Sequence, residues 1–278
     1  HFKYLDEEHQ IIVGKSDPNE EIFDTIIFAN RNIKRVTIPN FIKYIKPHAF
    51  EYCKELTKIE FAEDSKLVSI GICSFYSSSI DNITIPKSVI DIGLSAYSFC
   101  LNLNNFSFEE GSKLLSFGSV FVFNPKLKNI QIPASVEIIE DSWIESTSSF
   151  KKLTISPSNK HFKYLDDEHQ IVVGKSDPDE EIFDTIIFAN REIRRVTIPN
   201  SIKYIKPYAF RYCDNISVFD ISDDSKLVSL SKEIFSLSSV KNFFIPASVE
   251  MIEDNWCSYA SELKTVTISP SNKNFKYL

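Results

Sequence analysis

The chain repeats itself, and the period of the repeat dictates most of what it can fold into. Residues 1–53 match residues 161–213 at 45 of 53 positions, starting from His1-Phe2-Lys3-Tyr4-Leu5 against His161-Phe162-Lys163-Tyr164-Leu165. The motif begins a third time at Asn274-Phe275-Lys276-Tyr277-Leu278. A finer spacing of 47 residues runs inside these blocks, through Ile38-Pro39, Ile85-Pro86 and Ile132-Pro133, and again through Ile198-Pro199 and Ile245-Pro246. Between these lies a second signature: Ser65-Lys66-Leu67, Ser112-Lys113-Leu114 and Ser225-Lys226-Leu227. The unit is therefore 23 or 24 residues long and alternates between two forms. Ten units open apolar-x-x-apolar-x-apolar, at Ile33, Leu56, Ile80, Leu103, Leu127, Phe150, Ile193, Ile216, Val240 and Leu263. Such a regular period is the mark of a stacked repeat architecture.

The physics of one unit follows from its spacing. The apolar-x-apolar end, as in Val36-Thr37-Ile38, has period two and β-branched residues, so it predicts a short strand. Pro follows it in the first form, where a missing N–H costs no ladder bond. A second apolar group (Ile42, Ile45, Ala49, Phe50) carries the chain across the back in an extended or 3₁₀-like path. One unit cannot bury both groups, but stacked neighbours can, with their strands joined in one parallel sheet. The expected fold is a β-rich, right-handed α/β-type solenoid. Its parts are a truncated hairpin insert at 1–32, six coils over 33–155, a β-hairpin insert at 156–192 and four coils over 193–278, in one continuous solenoid domain. The insert is inferred from the 43 residues between the openings at Phe150 and Ile193.

Charge and hydropathy narrow the function classes. The net charge is -7, with both signs interspersed, which argues against a nucleic-acid surface or an anionic membrane as partner. No run approaches the roughly 18 apolar residues of a membrane span. The start, His1-Phe2-Lys3, lacks a Met and the pattern of a secretion signal, so the chain reads as a piece of a longer protein.

The stretch Val196-Thr197-Ile198-Pro199-Asn200-Ser201-Ile202-Lys203-Tyr204-Ile205-Lys206-Pro207-Tyr208-Ala209-Phe210-Arg211-Tyr212-Cys213 closely resembles the BspA-like, Treponema pallidum-type leucine-rich repeats. Their signature is a strand ending Ile-Pro, then I-x-x-I-x-x-x-A-F-x-x-C. Trp143-Ile144 and Trp256-Cys257 depart from it by replacing Ala-Phe. The resemblance implies a leucine-rich repeat solenoid that is a cell-surface or secreted adhesin and antigen, contacting host or matrix proteins. A cytoplasmic interaction scaffold is the alternative. The Ser-, Asn-, Phe- and Lys-rich composition is closer to trichomonad-like protist members than to bacterial ones.

No residues assemble into a catalytic pattern. There is no nucleophile elbow, Gly-rich phosphate loop, HExxH or CxxC, so no enzyme, metal or cofactor is expected. His9 and His169 sit in equivalent acidic turns and read as solvated hairpin residues. The five cysteines have no stacked pair; Cys53 and Cys100 lie two coils, or about 10 Å, apart, and read as small apolar fillers. Asn82, Asn105 and Asn215 open N-x-S/T sequons and are glycosylation candidates.

The ladder face is the candidate binding surface, since the third and fifth positions of each opening point away from the core. The candidate contact residues are Arg35, Lys58, Asn82, Asn105, Asn129, Lys152, Arg195, Val218 and Phe244. Three asparagines stack in a row here, and Val218 and Phe244 offer apolar anchors for a protein or glycan partner.

Overall fold

In the computed structural model, residues 2–6, 8, 10–141, 143–168, 170–177 and 179–276 are described. The chain is a β-solenoid of about ten turns, divided into two compact units. The first comprises His1–Phe150 with Thr154–Asn159, the second Lys151–Leu153 with Lys160–Leu278. Each of the ten predicted openings carries a four-residue strand starting two residues in, from Arg35–Ile38 to Thr265–Ile268. Alternation does what the spacing requires: Val36 and Ile38 are buried while Arg35 and Thr37 are exposed.

Where the sequence predicted one parallel sheet, each unit carries a second ladder behind the first. In the first unit the two-residue strands Tyr44–Ile45, Ser69–Ile70 and Asp91–Ile92 pair in parallel. These strands are too short to show a period, but each places one apolar side chain (Ile45, Ile70, Ile92) in the core. The expected hairpin inserts are present and extended by a third strand. Phe162–Tyr164 and Ile171–Gly174 form the hairpin, and Thr185–Ala189 returns antiparallel to join Tyr204–Ile205 of the back ladder in parallel. The same three strands, Phe2–Tyr4, Ile11–Gly14 and Thr25–Ala29, stand in the first unit and end on Tyr44–Ile45. Residues 2–29 thus hold every strand of the insert.

The far side of each coil is a chain of tight turns. Local i→i−3 bonds, such as Ala49 N–H to the Lys46 carbonyl and Cys53 N–H to that of Phe50, give the 3₁₀-like character expected. They alternate with bonds to the next coil: His48, Phe50 and Tyr52 donate to the carbonyls of Ile72, Ser74 and Tyr76. To aim peptides outward in this way, His48 and Tyr52 adopt left-handed backbone conformations, as do Cys73 with Ser77 and Tyr208 with Tyr212. Each costs roughly 1–2 kcal/mol for a non-Gly residue, offset by pairing of main-chain groups that would otherwise be buried unsatisfied.

Coil-to-coil spacing on the back leaves no room at Gly71. A Cβ there would lie 2.4 Å from the Pro47 nitrogen and 2.7 Å from the Lys46 carbonyl carbon, both backbone atoms of the preceding coil. Gly71→Ala is therefore expected to destabilise the first unit by about 1–3 kcal/mol or more. Gly111→Ala meets nothing within 4 Å but sits at φ +77, so only its backbone cost of about 1–2 kcal/mol applies. Chemical denaturation of both variants checks this order, and Gly71→Ala falling at or below Gly111→Ala would count against the close stacking.

Candidate functional site

Each unit carries a ladder face built from the outward residues of its own four-residue strands. Arg35, Lys58, Asn82, Asn105, Asn129, Lys152 and Arg195 are all exposed there. Val218 and Phe244, the expected apolar anchors, are only half-buried, and each stands beside a polar rung: Val218 opposite Arg195, Phe244 opposite Thr267. Asn82 and Asn105 are paired rungs, and the Asn105 side-chain amide donates to the Asn82 carbonyl oxygen. Beside them the Thr84 and Ser107 hydroxyls are 2.9 Å apart. Asn129 is exposed too but belongs to a different sheet, so the hydrogen-bonded asparagine run has two members. Of the sequon asparagines, Asn215 lies in the turn before its strand and is exposed.

The step between strands decides how the face is divided. Steps of 23 residues keep all four rungs: Arg35–Ile38 with Lys58–Phe61, Asn82–Ile85 with Asn105–Phe108, Arg195–Ile198 with Val218–Ile221, and Asn242–Ile245 with Thr265–Ile268. Steps of 24 residues break the ladder. Lys58–Phe61 and Asn82–Ile85 share only the rung Lys58 to Asn82. Asn105–Phe108 and Asn129–Ile132 fall in different sheets, as do Val218–Ile221 and Asn242–Ile245. The second form of the repeat spends more residues between its strand and its next core side chain (Phe61 to Leu67, against Ile38 to Ile42), with left-handed Asp64 and Gly111 in the wider turn.

Each break is a slot in the face. The first, of about 720 Å³, runs between Lys58–Phe61 and Asn82–Ile85. Lys58 and Glu60 form a 2.7 Å ion pair on one wall, and Asp81, Thr84 and Glu109 line the rest. The second, of about 530 Å³, has the wide turn Glu109-Glu110-Gly111-Ser112 as its rim and Gln131 and Ser156 opposite. Glu109 faces both slots and is fixed by the Lys87 N–H at 2.9 Å. The slot of the second unit, about 260 Å³, is charge-balanced by Asp220 and Lys241. Sequence reading named the residues beside the slots and missed the slots themselves; the alternation of 23 and 24 was the signal that marks them.

The cysteines divide by burial. Cys53, Cys100 and Cys213 are buried fillers as expected, and all five cysteines are free. Burial pushes the Cys100 thiol up to about 11, against a weaker opposing effect of its bond with Ser78. Cys257 departs from the expectation: it is exposed, on the last back turn, with no following coil over it among these residues. Cys73 is half-buried. The acidic-turn histidines His9 and His169 lie outside the described residues. Among the described residues no group of three His, Cys, Asp or Glu side chains is placed to hold a metal, and no helix is long and apolar enough to cross a membrane.

The family model of the BspA type leucine rich repeat region matches residues 21–151 and 180–277, in six copies. No curated protein sequence matches the chain. Among solved structures, the pneumococcal vaccine antigen PcpA superposes with a TM-score of 0.70 at 20% identity, covering 93% of this chain and 66% of that one. A leucine-rich repeat protein from Eubacterium ventriosum gives 0.63 at 18% identity, over 84% of this chain and 68% of its own. A leucine-rich cell surface protein from Faecalibacterium prausnitzii gives 0.59 at 15% identity, over 99% of this chain and 98% of its own. At these identities the likeness is one of fold.

Proposed function

The chain belongs to the family of BspA-type leucine-rich repeat proteins, and from that premise we propose that it is a non-catalytic protein that binds a macromolecule through its ladder face, as a cell-surface adhesin or antigen. The observation that carries the binding role is the face itself. Its outward residues are amides, hydroxyls and charges on short strands, interrupted by slots of about 720 and 530 Å³. Repeat solenoids use such extended surfaces for recognition. The surface location rests on the fold being shared with proteins described as a vaccine antigen and as a cell surface protein.

One observation favours a second reading, an intracellular scaffold: all five cysteines are free thiols, which suits a reducing compartment. Antibody staining of intact and permeabilised cells separates the two. Signal only after permeabilisation overturns the surface reading. For the binding role, purified chain is applied to host cells and matrix proteins alongside a front variant, Asn82→Ala with Asn105→Ala and Asn129→Ala, and a back variant, Ile90→Ser with Leu115→Ser. Loss of about 1.4 kcal/mol, a tenfold weakening, is expected for the front variant alone. Equal behaviour of the two variants sinks the assignment of the ladder face.

A further inference from the structure

We propose that the partner of the first unit's ladder face is an extended basic peptide in a polyproline II conformation, lying along the stacking direction with a Lys or Arg in each of the two slots. This rests on the binding role proposed above and specifies its ligand.

Three observations support it. The slots are gaps between strands that keep four rungs on their other side, so they are open notches set in a rigid face. Their charge is one-sided: the first slot has Glu60, Asp81 and Glu109 against Lys58, and the second has Glu109 and Glu110 with no basic residue lining it. The second unit's slot is lined by one acid, Asp220, and one base, Lys241, and lacks this bias, so the proposal is confined to the first unit. A cation entering either slot meets Glu109, whose carboxylate is held in place by the Lys87 N–H.

Spacing selects the conformation. The slots recur every two coils, and the paired-strand spacing of about 4.8 Å puts them at least about 10 Å apart. A polyproline II helix rises about 3.1 Å per residue with three residues per turn, so every third side chain returns to the same face about 9 Å along. A β-strand returns at about 7 Å and then about 14 Å, and neither matches. Polyproline II also leaves its own carbonyls and N–H groups unbonded, available to the amides and hydroxyls of Asn82, Asn105 and Ser107 between the slots.

The test uses the full chain and three labelled peptides of equal charge. One repeats Pro-Pro-Lys, one alternates Lys with Thr, and one is an Ala-based helix with lysines seven apart. Fluorescence polarisation at low and raised salt is expected to show the Pro-Pro-Lys peptide binding at least tenfold more tightly than the others, weakening as salt rises. Asp81→Asn with Glu110→Gln is expected to reduce that binding about tenfold without altering the circular dichroism. Glu109→Gln is expected to do the same, and the double variant guards against its loss of the Lys87 bond. Equal binding of all three peptides, preference for the helix or the strand, binding unmoved by the variants, or preference for neutral oligosaccharides overturns the proposal. If peptide binding fails while front-face substitutions still abolish cell binding, this inference falls and the ladder-face role stands. If front-face substitutions leave cell binding unchanged, the broader reading falls as well.

Discussion

Phe75→Ala is expected to destabilise the first unit by about 3–5 kcal/mol. Phe75 is fully buried, with its ring stacked 5.0 Å from that of Phe50 and 5.1 Å from that of Tyr97. The three rings come from three successive coils, so removing the middle one opens a cavity that both neighbours face. A solenoid coil collapses poorly into such a gap, because its backbone is tied to the next coil by bonds such as Phe50 N–H to the Ser74 carbonyl and Phe75 N–H to the Ala96 carbonyl. Nearest-neighbour coupling of this kind makes the loss local at first. Hydrogen exchange is therefore the measurement: faster exchange over the coils on either side of Phe75, with the Thr185–Ala189 region unchanged, is the expected pattern. A loss below about 1 kcal/mol would mean that the aromatic column is not a continuous core.

The second large effect is expected at Asp184, which anchors the insert. Its carboxylate is fully buried and accepts from the Ser176 N–H at 2.9 Å, the Ser176 hydroxyl at 2.8 Å and Thr185, with Lys203 Nζ at 3.3 Å. Its main-chain carbonyl receives the N–H groups of Lys203 and Tyr204 at the start of the back strand. One residue thus holds the polar loop of the insert to the first following coil. Asp24 repeats the arrangement with Ser16, Thr25 and Lys43. Asp184→Ala orphans one buried donor, the Thr185 hydroxyl, at about 1–3 kcal/mol, and removes the acceptor of the two part-buried Ser176 bonds. The Lys203 contribution is smaller, since that side chain is 37% exposed and partly screened.

The pH dependence has a definite sign. Burial alone raises the Asp184 pKa, but the bonds from Ser176, Lys203 and Thr185 outweigh it and hold the group below its ordinary value of 3.8. A group depressed on folding contributes stability above its unfolded pKa and loses it as pH falls through the folded one. The wild type is therefore expected to exceed Asp184→Ala by a constant margin near neutral pH, and the margin is expected to close in acid below about pH 4. Denaturation series at neutral and acid pH check this. A margin that widens in acid contradicts the assignment of Asp184 as an ionised anchor.

Much of the fold was legible because the information is local. The apolar-x-apolar openings at Ile33 through Leu263 located all ten front strands, and alternation told Arg35 and Lys58 from Val36 and Ile59. The back ladder escaped because Tyr44–Ile45 and Ser69–Ile70 are two residues long and carry no readable period. The left-handed residues escaped too: His48, Tyr52, Cys73 and Tyr208 are not the glycines or asparagines that announce such a conformation. At the candidate site, exposure of the polar rungs followed from period two. The half-burial of Val218 and Phe244 did not, because it depends on neighbouring coils.

The unit, its two alternating forms, the strand in each and the side chains that face outward all follow from residue spacing within a single coil. Which neighbouring strands pair follows instead from packing between coils. Steps of 23 residues keep the ladder, steps of 24 open it, and the slots at Glu60, Asp81 and Glu109 exist only where it opens. Pairing between coils balances back-side turns, core contacts and ladder bonds summed around a whole turn, and no window of sequence shorter than that turn contains the balance.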